Sequence, residues 1–340
     1  MYRHQYVERE TGSIRTEAIF ADRIVRTLYS AARENAPVLF RALTGRHASA
    51  LLGYLNYDVA LGARLSGGRA FLRRLGVDLR ECLDPPESLD TARKVFERRI
   101  RYWECRPLPA DPRIVVSPAD ARVLVGSLRE ASALFLKDKF FDFEELLGRD
   151  RRRWLAAFAG GDWAVFRLTP EKYHYNHTPV AGRVVDHYEL PGRYHSCNPA
   201  AVIALATPYS KNRRVVTVID TDVPGGSGVG RVALIEVVAL MIGDIVQCYS
   251  EVGYERPRPV EPGMFVVRGA PKSLYRPGSS TDVLLFQRGR VRFDEDLLRN
   301  RADGRVASRF SLGFRTPLVE TEVRVRASVA RRIDGAPIAG

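Results

Sequence analysis

Five residues carry the chemistry that this sequence can be asked to do. Ser279 and Ser280 sit in the turn Gly278-Ser279-Ser280-Thr281, which runs straight into an apolar β-type segment, Val283-Leu284-Leu285-Phe286. A serine hydroxyl at its free pKa is a poor nucleophile, so a working serine needs a neighbouring base. His174 and His177 lie three residues apart in Lys172-Tyr173-His174-Tyr175-Asn176-His177-Thr178-Pro179. Strand alternation puts these two side chains on opposite faces, whereas a turn or helix brings them together. The pair lacks a further ligand at useful spacing, so a metal site is a poor reading. Asp120 follows Ser117-Pro118-Ala119 and is the carboxylate to consider beside a histidine. Each residue alone also fits an ordinary role: a strand-entry turn, a satisfied buried histidine, a turn aspartate.

Taken in order, these segments resemble the motifs of the phosphatidylserine decarboxylases, a family that makes its own pyruvoyl cofactor. Ser117-Pro118-Ala119-Asp120-Ala121 is similar to the family's Ser-Pro-Ala-Asp-Gly block, and Tyr173 to Pro179 to its Tyr-His-x-x-His-x-Pro segment. Asn212-Arg213-Arg214-Val215-Val216, Val232 to Val237 and Ile242-Gly243-Asp244-Ile245 follow in the family's order. The turn at Gly278 to Thr281 then resembles the self-cleavage site. The resemblance spans about residues 15 to 300.

The resemblance implies a chemistry. Decarboxylating an amino acid leaves electrons on its α-carbon, and a pyruvoyl ketone with its adjoining amide carbonyl takes them up. Making that group requires a serine to attack the carbonyl of the residue before it. The ester formed is cut by β-elimination, and the dehydroalanine left behind hydrolyses to pyruvoyl. By resemblance His177 is the base for this attack, Asp120 orients it, and His174 serves the later decarboxylation. Ungapped alignment to the family's Phe-x-Phe-Gly-Gly-Ser-Thr places Tyr275 on the first Phe and Ser280 on the serine. Ser279 then stands where a glycine is common, so the alternative, cleavage before Ser279, keeps the glycine but needs an insertion. Ser280 is favoured. Ala121, Tyr175, Asn176, Ala181, Val238 and Asp244 also depart from common family residues. Phosphatidylserine is the expected substrate; a free amino acid such as tryptophan, or an uncleaved lipid-binding homologue, are the alternatives.

The elements that must position these residues follow a coarse α+β plan. Residues 1–105 read as a helical region, with apolar residues at three- and four-residue spacing in Ile19 to Tyr29, Val38 to Leu43 and Leu51 to Leu55. Arg and Lys are interleaved, and in the resembled family this part faces the membrane. Arg106 to Pro112 is a linker with three prolines. A β-rich catalytic core is expected over 113–300, with Phe135 to Leu147 at least partly helical, Val232 to Val246 as one or two buried strands and Gly225 to Gly230 as a hairpin loop. Residues 301–340 form a divergent, Arg-rich tail.

The chain has 340 residues, with 45% hydrophobic and 27% charged content, enough for a real core. A formal net charge of +13 asks for an anionic partner. Nucleic acid is disfavoured because no finger, helix-turn-helix or aromatic-basic motif appears. An anionic phospholipid surface fits both charge and resemblance. The N-terminus lacks the apolar core of a signal peptide, and no run of about 18 apolar residues would span a bilayer. Cys82, Cys105, Cys197 and Cys248 are widely spaced, which points to neither zinc nor a disulfide framework. The expectation is a peripheral protein on the cytoplasmic face of the cell membrane, its two cleaved chains held together as a heterodimer or a higher oligomer.

Overall fold

The computed structural model describes residues 3–17, 77–129, 141–169, 171–196, 198–204, 208–239, 244–276 and 280–334. Its strands are β1 (Gln5–Glu8), β2 (Ile14–Thr16), β3 (Ile114–Val116), β4 (Ala121–Ser127), β5 (Asp162–Leu168), β6 (Tyr175–His177), β7 (Gly182–Leu190) and β8 (Arg214–Asp220), then β9 (Arg231–Val237), β10 (Ile245–Gln247), β11 (Phe265–Val266), β12 (Pro271–Tyr275), β13 (Ser280–Phe286), β14 (Val291–Phe293), β15 (Thr321–Val323) and β16 (Ser328–Arg332). Short helices punctuate them, so the chain is α+β with strands dominant.

Ten strands form one sheet in the order β11-β7-β8-β9-β13-β5-β4-β15-β1-β2. The β13 strand lies near its centre, antiparallel to β5 and β9 with no break in register, and all seven of its residues are buried. That burial explains the continuous apolar run after the serine turn: a strand covered on both faces has no solvent side to alternate with. Two three-stranded sheets flank the large one, β10-β12-β6 and β14-β16-β3. The first of these carries both the histidine segment and β12, which ends at Tyr275, five residues before Ser280.

The expected strands at Val232 to Val246 appear as β9 and β10. Gly225 to Gly230 joins β8 to β9 as a hairpin loop, with Gly225, Gly228 and Gly230 at positive φ. A helix occupies Phe143–Leu147.

The N-terminal part differs from the helical reading in the residues that are described. Residues 5–8 and 14–16 are strands of the large sheet, β1 running parallel to β15. Residues 77–105 hold only short helices, Pro86–Ser88, Ala92–Phe96 and Tyr102–Cys105. The three apolar repeats that suggested longer helices fall on residues 19–55, outside the described residues. The segment after residue 300 is built into the core: Phe310, Phe314, Val319, Val323 and Val329 are buried, and β15 pairs with β4. Its arginines mislead because they lie between buried positions that only the tertiary fold supplies with partners.

A buried ion cluster ties both ends of the chain to β5. Arg167 donates to Glu17 at 3.0 and 2.7 Å and to Glu320 at 2.9 and 2.6 Å. His4 and Arg122 complete it, at 2.8 Å from Glu320 and 2.6 Å from Glu17. Burial alone would raise both carboxyl pKa values, but the guanidiniums outweigh it and hold them low. Replacing Arg167 with Met leaves two buried carboxylates facing each other. Chemical denaturation should show Arg167→Met less stable by about 3–5 kcal/mol, since breaking a buried pair strands the remaining charge. An unchanged midpoint would mean the cluster contributes nothing net.

Candidate active site

The two motif segments meet through their backbones. The His177 N–H donates to the Pro118 carbonyl at 2.7 Å, and the Val116 N–H to the Pro179 carbonyl at 2.9 Å. Thus the Asp120 segment and the histidine segment lie side by side although they are far apart in sequence.

His177 is fully buried and both ring nitrogens are engaged. Its Nδ1 lies 2.8 Å from the Gly269 carbonyl, and its Nε2 lies 3.0 Å from the Tyr173 hydroxyl. A carbonyl can only accept, so Nδ1 carries the proton and Nε2 presents a lone pair. Burial pushes the imidazole pKa down to about 3, against the opposing pull of the Gly269 carbonyl, so the ring is neutral at physiological pH. Gly269 itself has φ near +75°, a conformation glycine adopts without cost. A β-carbon there would come 2.8 Å from the Leu108 side chain, so this carbonyl is aimed by a turn that wants glycine.

Asp120 is held by other partners. Arg106 donates to its two oxygens at 3.0 and 2.7 Å, and the Val325 amide adds a bond of 2.7 Å. Burial would raise this carboxyl pKa, but Arg106 and the amide overcome that and keep the carboxylate ionised. Arg106 also reaches Glu81, at 2.9 Å from each oxygen. Among the described residues, no hydrogen bond joins Asp120 to His177. The group that orients His177 here is the Gly269 carbonyl, while Asp120 acts on the imidazole through its charge, which favours protonation.

His174 faces away from His177. Alternation through β6 puts Tyr173, Tyr175 and His177 on one side, where their rings stack or meet edge to face. His174 stacks on Phe96 with ring centroids 3.4 Å apart. It is fully buried, and burial followed by the nearby Arg98 charge drives its pKa well below the usual value, against the opposing pull of the Lys172 backbone carbonyl.

Ser280 opens β13, opposite Leu168 of β5, and is fully buried with no partner for its Oγ. A buried hydroxyl without a partner is uncommon. Ser279 lies outside the described residues. No described hydrogen bond joins Ser280 to His174, His177 or Asp120.

Several functional candidates were not singled out from the sequence: Arg106 in the proline linker, Tyr173, Gly269, and a buried polar set on β9, β12 and β13. In that set Glu236 accepts from Lys272 at 2.7 Å, from Gln247 at 3.0 Å and from Asn176 at 3.3 Å, and also from Ser273. The available signal was a charged residue inside each of two apolar runs, Glu236 and Asp282.

The sequence matches the phosphatidylserine decarboxylase family over residues 92–311. It is 31% identical over 313 residues to the phosphatidylserine decarboxylase proenzyme of Chlamydia trachomatis serovar L2, covering 88% of this chain and 92% of that one. It is 30% identical over 303 residues to phosphatidylserine decarboxylase proenzyme 3 of Schizosaccharomyces pombe, covering 86% of this chain and 28% of that protein. Proenzyme 2 of Oryza sativa subsp. japonica is 32% identical over 230 residues, or 66% of this chain and 34% of its own.

Proposed function

The chain belongs to the phosphatidylserine decarboxylase family, and from that premise we propose that it is a self-cleaving carboxy-lyase that converts phosphatidylserine to phosphatidylethanolamine and CO2. The observation that carries the assignment to particular residues is Ser280: a buried serine at the start of the central strand, its Oγ unpartnered, at the position that matches the family's cleavage serine.

The residues present suit a pyruvoyl group made from Ser280. The hydroxyl is dry and uncommitted, and Gly278 stands two residues before it in the sequence. Once formed, the group supplies the carbonyl electron sink that decarboxylation needs. The protein's own part is then positional. His177, neutral with an unprotonated Nε2, is the base for the Ser280 proton; its tautomer is set by Gly269. Reaching Ser280 requires Nε2 to exchange its Tyr173 partner for the serine. Asp120 stabilises the imidazolium that results, from a position fixed by Arg106. His174, buried and neutral, belongs to the decarboxylation step, where it places the substrate carboxyl or handles a proton.

Peripheral binding at the cytoplasmic face of an anionic membrane, as a heterodimer of the cleaved chains, completes the proposal. The support is the +13 charge together with a lipid substrate. No helix among the described residues is long and apolar enough to cross a membrane. Each well-placed Lys or Arg contributes about 1 kcal/mol at such a surface, and salt screens it.

Intact mass spectrometry with a vesicle assay tests this reading. The purified protein should contain residues 280–340 as a separate 61-residue chain with a blocked N-terminus. It should release CO2 from phosphatidylserine in anionic vesicles, and bind them less as salt rises. A single unprocessed chain defeats the enzyme reading. Cleaved protein that ignores vesicles and decarboxylates a free amino acid transfers the assignment to the soluble substrate.

A further inference from the structure

The side of β13 that Ser280 shares with Asp282 faces the three-stranded sheet β10-β12-β6, and the contact between them is polar. Residues two apart on a regular strand point to the same face, and β13 is regular from end to end. From the small sheet, Lys272, Ser273, Gln247 and Asn176 all reach Glu236 of β9. Asp282 lies directly opposite Glu236 in the β9–β13 register, so two fully buried carboxyl groups are neighbours. Lys272 is spent on Glu236 and on the Gln247 side-chain oxygen at 2.9 Å. Among the described residues Asp282 receives only the Tyr275 hydroxyl, at 2.7 Å on Oδ1, and its Oδ2 is buried without a partner.

We propose that Asp282 is the proton donor of the decarboxylation at Ser280, its free Oδ2 supplying the hydrogen that replaces the departing carboxyl group. The inference rests on the pyruvoyl reading above and extends it to a residue that the family motifs do not include. One lysine cannot neutralise two adjacent buried carboxylates, and Glu236 holds it. Burial, then the Glu236 charge, raises the Asp282 pKa well above the ordinary range, so the group enters the reaction as a neutral acid. In the step itself, the bond between the α-carbon and the carboxyl carbon breaks and CO2 leaves. The electron pair passes to the carbonyl sink, and the α-carbon then forms a C–H bond with the proton on Oδ2. Asp282 is left as a carboxylate beside Glu236, a repulsive arrangement that favours reprotonation from water.

Asp282→Asn keeps shape and hydrogen bonding but cannot give up a proton. The variant should cleave as the wild type does and lose about 10²–10⁴-fold in CO2 release, the usual contribution of a positioned general acid. A second readout is independent of rate. Without its acid, the proton can go to the cofactor carbon instead. Hydrolysis then leaves the amino nitrogen on the small chain, and the product departs as an aldehyde. The 61-residue chain of Asp282→Asn should therefore change during turnover from the mass of a pyruvoyl to that of an alanyl N-terminus, faster per turnover than in the wild type. Should Asp282→Asn fail to cleave, Asp282→Val is read in the same way. Wild-type rate with an unchanged N-terminal mass overturns the proposal. So does failure of both variants to cleave, because Asp282 is given no part in cleavage. A wild-type protein with no blocked small chain sinks the pyruvoyl reading itself.

Discussion

Ser280→Ala should remain a single chain of 340 residues with no decarboxylase activity. In the proposed reaction the hydroxyl is the atom that attacks, and the carbon skeleton of residue 280 becomes the cofactor, so the loss is complete rather than graded. Folding should survive. Ser280 is buried in β13 but its Oγ makes no described hydrogen bond, so removing it strands no partner. Thermal melting of the variant should therefore stay close to that of uncleaved wild type. Ser279→Ala is the control: it should cleave, because the ungapped alignment gives Ser279 no chemical task. If Ser279→Ala stays whole while Ser280→Ala cleaves, the reacting bond lies one residue earlier, at Gly278-Ser279.

His177→Ala should also block cleavage, whereas His174→Ala should cleave and then decarboxylate about 10²–10⁴-fold more slowly, the range for a lost acid or base. The structure separates the two rings. His177 presents an unprotonated Nε2, bonded to the Tyr173 hydroxyl, with Nδ1 protonated, the form a base needs, and His174, just before β6, stacks on Phe96. The pH dependence gives a further check. A His177 pKa near 3 keeps the base neutral through the range where an ordinary histidine, at about 6.5, would become protonated. The cleavage rate of freshly folded proenzyme should then stay level as pH falls from about 8 to about 5. A fall with a midpoint near the ordinary histidine value would show that His177 is solvated when it acts. Normal cleavage by both histidine variants would remove His177 from its role.

The reaction class was legible in the sequence because short contiguous motifs carried the family resemblance: the Asp120 block, the two histidines and the Gly278 to Thr281 segment. The β-rich core was legible for a related reason. Local runs such as Val215 to Ile219 and Val283 to Phe286 suit strands and little else, and they appear as β8 and β13. Strand order was not legible, since pairing between distant segments leaves no local trace. Nothing near Val7 or Thr321 announces that they lie side by side in one sheet. The helical reading met the same limit at residues 5–8 and 14–16, because strands as short as β1 and β2 carry too few residues to show a period.

The site divides in the same way. Residue types and order along the chain fixed which groups could react. The tertiary fold alone decided what holds them. Asp120 has its charge balanced by Arg106, fourteen residues upstream in a linker, and not by a histidine contact. The His177 tautomer depends on a carbonyl 92 residues away. The protonation of Asp282 depends on Glu236 taking the one nearby lysine. Each is an electrostatic outcome of burial and distance, and a sequence records the charges but not how far apart they will be or how much water will remain between them.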